Sequence, residues 1–188
     1  MSDADARAEY DRFVAGDEEA LVALVDAHKD GLIAYIQTIV GDYDAAQDLA
    51  IDVFAALIAN KKPFRGASSF QTYLYAIGKH LAYRYIRRHG KQPAVSWNDS
   101  FQQPQTEQLE DGVIADDERS RVRAALGDLK ADYRWALYLM FFEGMSQESV
   151  GAVMGKSQGQ VHGLIDRAKR ALRLRLEDEG FDYAHPQY

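Results

Sequence analysis

Between Phe64 and Lys91 the chain reads FRGASSFQTYLYAIGKHLAYRYIRRHGK, a stretch that interleaves aromatic and basic side chains and holds no carboxylate. Rings and guanidinium groups sharing one exposed face suit single-stranded nucleic acid. Bases stack on the rings, at about 1–3 kcal/mol each, while the cations neutralise phosphates. On a helix, Tyr73, Ala76, His80, Tyr83, Arg84 and Arg87 form such a face. Beside it, Phe70, Leu74, Ile77, Leu81 and Tyr85 recur at helical spacing and form the face to be buried. An amphipathic core helix with a solvated basic end accounts for the same residues without any ligand. In that case Phe64 and Phe70 are simply core.

Other chemistries find little support. There is no cysteine, so disulfides and thiolate metal sites are excluded. The histidines, His28, His80, His89, His162 and His185, show no metal-ligand spacing. No glycine-rich phosphate loop follows a strand, and no serine-histidine-acid signature marks a nucleophile. The expectation is a protein without catalytic residues, metal or cofactor. The N-terminal MSDADARAEYDRF is charged and lacks the apolar centre of a signal peptide, and no apolar run is long enough to span a bilayer. A soluble, cytoplasmic protein without membrane insertion is therefore expected.

The net charge of −7 argues against nucleic acid only if charge is spread evenly. It is not. Lys79, Arg84, Arg87, Arg88 and Lys91 lie in a run without acids, as do Arg167, Lys169, Arg170, Arg173 and Arg175. The acids Asp99, Glu107, Glu110, Asp111, Asp116 and Asp117 lie between these runs, with no Lys or Arg among them. Screening limits the field a partner meets to about 10 Å, so local patches decide.

Stepping along the chain, the pattern predicts two helical modules and a tether, an all-α protein. Asp17 caps a helix carrying Leu21, Leu24, Val25, Leu32, Ile36 and Ile39, which Gly41 ends. Asp44 with Gln47 suggests a capping box for a helix reaching about Ala59, with Lys62-Pro63 as a stop signal. Ser68 with Gln71 suggests another for the aromatic–basic helix. Residues 96–117 are polar, acidic and Gln-rich, and read as a flexible linker in which Trp97 alone invites docking. Beyond it, Val122, Leu126 and Leu129 fit one helix, and Trp135, Leu137, Leu139, Met140 and Phe141 a central one ending at Gly144. Ser146 opens a short helix with Val150, Val153 and Met154 inward, and Gly155 makes a turn. Ser157 with Gln160 caps a last helix with Val161, Ile165, Ala168 and Leu172 inward. Short helix, glycine turn and longer helix form the helix-turn-helix pattern, although a plain helical hairpin has the same spacing.

The two modules together resemble the extracytoplasmic-function (ECF) sigma factors of bacterial RNA polymerase. DAAQDLAIDVF and the aromatic–basic helix are similar to sigma region two, and LKADYRWALYLMFFEGMSQESVGAVMGKSQGQVHGLIDRAKRAL is similar to region four. The resemblance implies region two over 1–95, a linker over 96–117, and region four with an acidic, aromatic tail over 118–188. It implies binding to core polymerase through Asp44, Asp48, Leu49, Asp52, Val53 and Phe54. The three aspartates share a helix face, and Leu49, Val53 and Phe54 either meet the partner or pack inward. It implies minus-ten recognition, with melting of the duplex, by Phe64, Tyr73, His80 and Tyr83 at bases. Arg65, Lys79, Arg84, Arg87 and Arg88 would then lie at phosphates. Minus-thirty-five recognition is implied for Ser157, Gln158, Gln160, His162, Arg167, Lys169 and Arg170.

The sequence departs from the family pattern in places. Tyr73 stands where Trp is frequent, His80 replaces a common Asn and Arg84 a common Asp. Where the recognition helix usually carries Lys and Arg, this chain has His162, Gly163 and Leu164, followed by Asp166. Gln158, Gln160 and His162 can still hydrogen-bond base edges. The leading expectation is a sigma factor held by an anti-sigma factor. The alternatives are a sigma-like decoy or adaptor without productive promoter recognition, and a helix-turn-helix regulator independent of polymerase. The tail beyond Leu176 either folds back on Arg167–Arg175 or hangs free.

Overall fold

Ser2 and Asp5 satisfy each other's backbone at the start of a helix that the pattern did not predict. The Ser2 hydroxyl accepts from the Asp5 N–H at 3.2 Å and the Asp5 carboxylate accepts from the Ser2 N–H at 3.2 Å. This helix, α1 (Asp3–Val14), places Ala6, Tyr10 and Phe13 on one face, all buried. The computed structural model describes residues 1–61, 68–90, 121–122 and 124–178.

Helix α2 (Glu18–Val40) starts at Asp17 as expected, with the cap carboxylate accepting from the Glu19 N–H. It stops where Gly41 turns left-handed at φ 80°, a conformation that a Cβ would strain. Helix α3 (Tyr43–Ala59) is capped by Asp42 rather than Asp44, the Asp42 carboxylate accepting from the Ala45 N–H at 2.7 Å. The cap of helix α4 (Phe70–His89) also differs from the expected one, lying one residue later. Ser69, not Ser68, accepts from the Thr72 N–H at 3.0 Å. In both corrections the chosen residue has the extended backbone that a cap needs. Asp3 adds a second acceptor at the start of α4, taking the Phe70 N–H at 2.9 Å.

These four helices form the first module. Helix α2 packs against α1, α3 and α4, and α3 packs against α4. Leu24, Leu32, Ile36, Val53, Leu57, Phe70 and Leu74 fill its centre. Each such side chain withdrawn from water contributes about 1.5–3 kcal/mol. The inner face of α4 is broader than the five-residue stripe expected. Tyr75, Gly78 and Ala82 are buried with Phe70, Leu74 and Leu81, while Ile77 and Tyr85 lie only half-buried at the edge.

Helical residues 121–122 and 124–127 open the described part of the second module, with Val122 half-buried and Leu126 and Leu129 buried. Helix α5 (Ala131–Leu137) runs directly into a π-helical turn, Tyr138–Phe142. The wider turn rotates the chain, so Leu139 points inward while Phe141 is 55% exposed and Phe142 44%. Phe141 is therefore not part of the buried centre predicted for it. Gly144 ends the segment at φ 64°. Helix α6 (Gln147–Met154) begins at the Ser146 cap and ends at left-handed Gly155, and α7 (Gln158–Asp178) follows. Ser157 and Gln160 form the expected reciprocal cap, with bonds of 2.8 and 3.4 Å. Val150, Val153, Met154, Val161, Ile165 and Ala168 are buried as the pattern predicts, with Leu172 half-buried. Gly151 lets α6 and the turn meet, since a Cβ there would stand 2.6 Å from the Lys156 carbonyl oxygen. The linker, Trp97 and the tail beyond Asp178 lie outside the described residues.

Candidate nucleic-acid and protein interfaces

The outer face of α4 carries the aromatic–basic stripe. Tyr73, His80, Tyr83, Arg84, Arg87 and Arg88 are all exposed along it, and Lys79 is half-buried. The helix has no acid in its first turn and three basic residues, Arg87, Arg88 and His89, in its last. Cations at that end suit the helix dipole and leave a positive surface. Phe64 and Arg65 lie outside the described residues.

Two members of the stripe are engaged by the second module. The Lys79 ammonium donates to the Val153 carbonyl oxygen at 2.9 Å, in the last turn of α6. Burial lowers the Lys79 pKa first, Lys156 lowers it further, and Asp132 opposes both. The Tyr83 ring meets Trp135 edge-on at 5.7 Å between centroids. Helices α4 and α6 pack along each other, and α2 packs on α5. Trp135 donates its indole N–H to the Thr38 carbonyl oxygen at 3.1 Å, and the Tyr138 hydroxyl reaches the Gly31 carbonyl oxygen at 3.4 Å.

Glu143 completes this joint. Its carboxylate accepts from the Gln71 amide at 3.1 Å and from the Tyr75 hydroxyl. Tyr75 is fully buried, and burial foremost, with Glu143 next, holds its phenol well above the ordinary range, so it remains a donor. Beside the joint lies a cavity of about 190 Å³, lined in part by Ser2, Asp3, His28, Gln71, Tyr75 and Glu143. His28 Nε2 is buried there without a hydrogen-bond partner. Neither Glu143 nor Gly31 can be picked out by sequence reasoning, because local pattern carries no signal for a contact over such separation.

On α3 the outward stripe holds Asp44, Asp48 and Asp52, all exposed, and two isoleucines the sequence reading missed. Ile51 is 65% exposed and Ile58 48%. Their spacing from Asp44, seven and fourteen residues, is the signal that finds them. Leu49, Val53 and Phe54 are buried in the first module, so of the two readings open to them the inward one holds. They are corrected from interface to core.

The side chains of the cap Ser157 and, in α7, of Gln158, Gln160, His162, Arg167, Lys169 and Arg170 are exposed. Within the atypical stretch, Leu164 is buried and His162 lies 3.5 Å from Asp166 on the next turn. A Cβ at Gly163 would stand 3.3 Å from the Arg167 guanidinium, the end of an exposed side chain that is free to shift, so packing does not require the glycine. Lys169 sits 5.1 Å above the Phe141 ring. Among the described residues, no group of three His, Cys, Asp or Glu could hold a metal ion, and no helix is long and apolar enough to cross a membrane.

Comparison with known proteins matches both modules. Residues 24–92 match the sigma-70 region 2 family and residues 119–172 match sigma-70 region 4. The RNA polymerase sigma factor YlaC of Bacillus subtilis is 30% identical over 71% of this chain and 78% of its own length. The RNA polymerase sigma-H factor of Pseudomonas aeruginosa is 29% identical over 89% and 91%. The ECF RNA polymerase sigma-E factor of Escherichia coli K12 is 28% identical over 89% and 92%. Among solved structures, that of CnrH in complex with the cytosolic domain of CnrY matches 93% of this chain and 98% of its own. Its TM-score is 0.67 at 24% identity, a likeness of fold. Two family matches in the order the sequence predicted, on a helical fold whose α3, α4 and α7 each present an exposed polar face, lead to one assignment: the chain belongs to the ECF family of RNA polymerase sigma factors.

Proposed function

We propose that this chain directs bacterial core RNA polymerase to specific promoters, working in the cytoplasm and leaving the chemistry to the polymerase. The first module, through about residue 95, binds the polymerase with the Asp44, Asp48, Asp52, Ile51 and Ile58 stripe of α3. It holds the melted non-template strand of the minus-ten element along α4, with Tyr73, His80, Tyr83 and Phe64 at bases. Arg65, Lys79, Arg84, Arg87 and Arg88 lie at phosphates. The second module, from about residue 118, approaches the minus-thirty-five duplex with the N-terminal part of α7. Residues 96–117 tether the two.

One observation carries this reading. The stripe of α4 leaves Tyr73, His80, Tyr83, Arg84, Arg87 and Arg88 exposed although Phe70, Leu74 and Tyr75 on the opposite face are fully buried. A core helix with a merely solvated end has no need of exposed tyrosines interleaved with arginines. The α7 surface supports a weaker minus-thirty-five contact, carried by amides at base edges and by Arg167, Lys169 and Arg170 at the backbone.

Control by an anti-sigma factor belongs to the same reading. A solved complex of the sigma factor RpoE with the anti-sigma factor NepR from Bartonella quintana matches 85% of this chain with a TM-score of 0.65. The test is reconstitution of the full chain with core polymerase on a pool of genomic fragments, with transcript starts sequenced. Discrete starts sharing upstream motifs are expected. Binding to polymerase without discrete starts would instead identify a decoy, and no binding would leave a duplex-DNA regulator.

A further inference from the structure

Helix α1 precedes residues 24–92, the part that matches sigma-70 region 2, and the contacts proposed for polymerase and promoter leave it without a role. Its own contacts gather at one place. The Asp3 carboxylate accepts from the Phe70 N–H at 2.9 Å, the first N–H of α4. The Tyr10 ring lies 5.2 Å from the Phe70 ring between centroids, and both side chains are fully buried. Toward the other end of α1, the Lys61 ammonium sits 4.4 Å from the centroid of the Phe13 ring. One short helix thus holds Lys61, just past the end of α3, and Phe70, the first residue of α4.

The start of α4 needs such support. The first N–H groups of a helix have no partner within it, and a carboxylate beside them is favourable to the helix dipole. The first turn of α4 holds no acid of its own. Ser69 satisfies the Thr72 N–H, while Asp3 satisfies the Phe70 N–H and brings the missing negative charge from a neighbouring helix. Tyr73, the first ring of the exposed stripe, lies in the next turn, and its N–H donates to the Ser69 carbonyl oxygen at 3.1 Å.

From these contacts we infer that Asp3, Tyr10 and Phe13 are positioning residues for minus-ten reading: α1 fixes the start of α4 and both ends of the segment that carries Phe64 and Arg65. The inference rests on the minus-ten role proposed for α4 and adds residues to it. None of the three meets the strand itself, since Tyr10 and Phe13 are buried and the Asp3 carboxylate repels phosphate. A helix start deprived of its partners frays, and ordering it on binding takes up part of the binding free energy. Affinity then falls with the fraction of chain already in the competent form. Asp3 keeps that fraction high next to Tyr73, Tyr10 gives Phe70 a packed backing, and Phe13 holds Lys61 through its ring face.

The experiment compares Asp3→Ala, Asp3→Asn and Phe13→Leu with the wild-type chain, each assembled with core polymerase. Strand opening is read by permanganate reactivity of thymines in a promoter that the wild-type chain selects from the fragment pool. Polymerase affinity is titrated separately. Circular dichroism sets a working temperature well below the unfolding midpoint of every chain. Asp3→Ala is expected to lower strand opening about three- to tenfold and to leave polymerase affinity unchanged, because α3 carries that contact. Asparagine keeps an acceptor oxygen, so Asp3→Asn is expected to restore opening at least in part. Phe13→Leu keeps the core apolar but offers Lys61 no ring, and is expected to lower opening about two- to fivefold. A purely structural role has a different signature below the midpoint: opening and polymerase affinity fall in parallel, or neither falls. Either pattern in both Asp3→Ala and Phe13→Leu overturns the positioning role while wild-type starts stand. Absence of discrete starts from the wild-type chain overturns the sigma-factor reading instead.

Discussion

Trp135 of the second module donates its indole N–H to the Thr38 carbonyl oxygen of the first, at 3.1 Å. Thr38 itself is buried near the end of α2, and its hydroxyl donates to the Tyr35 carbonyl oxygen at 2.6 Å. The contact makes Trp135 a reporter of docking. The sequence has two tryptophans, Trp97 and Trp135, so Trp97→Phe leaves a single emitter. In that background, rising urea is expected to shift emission to longer wavelength before helical circular dichroism is lost, because a polar joint opens below the free energy of global unfolding. Trp135→Phe removes a hydrogen bond contributing about 0.5–1.5 kcal/mol and leaves the Thr38 carbonyl unpaired. Coincident emission and dichroism transitions would instead make docking part of one cooperative unit.

The helix-turn-helix offers a pair of glycines with opposite expectations. A Cβ at Gly151 would meet the Lys156 carbonyl oxygen at 2.6 Å, whereas one at Gly159 meets nothing within 4 Å. The Lys156 carbonyl is backbone and cannot swing aside. Gly151→Ala is expected to destabilise the second module by about 1–3 kcal/mol, as overpacking does. Gly159→Ala, near the start of α7, is expected to stabilise it by up to about 1 kcal/mol through helix propensity. Thermal unfolding of the two variants beside wild type checks both signs, and equal midpoints would show that α6 and the turn can separate freely.

How legible this protein is in its sequence differs between levels. Periodicity and glycine signals locate α2, α3, α4, α6 and α7, because Gly41 and Gly155 act locally and Val150, Val153 and Val161 repeat at helical spacing. Caps are off by one or two residues at Asp42 and Ser69, since neighbouring Asp or Ser residues compete and only backbone geometry chooses. Helix α1 has a local signal in the Ser2–Asp5 box and the Ala6, Tyr10 and Phe13 spacing, but charged residues between those three mask the apolar face. The direction of Phe141 was not readable, because a π turn shifts which face follows it. The seat of Glu143 on Gly31 has no local signature at all, because it exists only after the modules meet.

His28 sets a pH dependence on the first module. Its ring lies 5.7 Å from that of Phe70, and Nε2 has no partner. Burial foremost, with the N-terminal ammonium next, lowers its pKa, and Asp3 opposes both. Glu143 lines the same cavity. A histidine whose folded pKa is depressed is protonated first in the unfolded chain. Its contribution is therefore present above the ordinary value of 6.5 and is lost as pH falls below it. Urea midpoints are expected to fall between pH 7.5 and 5.5, and His28→Leu is expected to flatten that dependence. An equal fall in the leucine variant would assign the effect to other groups.

The two faces of α3 separate partner binding from stability. Asp48 and Ile51 are exposed, while Leu49 and Val53 are buried in the module. Asp48→Lys and Ile51→Asp are expected to change stability by no more than about 0.5 kcal/mol, as surface substitutions do. Each is expected to weaken association with core polymerase at least about tenfold, because each places the wrong charge or polarity on the stripe. Leu49→Ala is expected to act the other way round, lowering module stability by about 2–5 kcal/mol through the cavity it leaves. At temperatures where that variant stays folded, its polymerase affinity should remain near wild type. Thermal unfolding and a polymerase-binding titration on all three variants read both axes. A surface variant that keeps full affinity would remove this face of α3 from the polymerase interface. The aspartates would then be no more than a solvated helix surface, with repulsion of about 0.2–0.5 kcal/mol per pair left uncompensated.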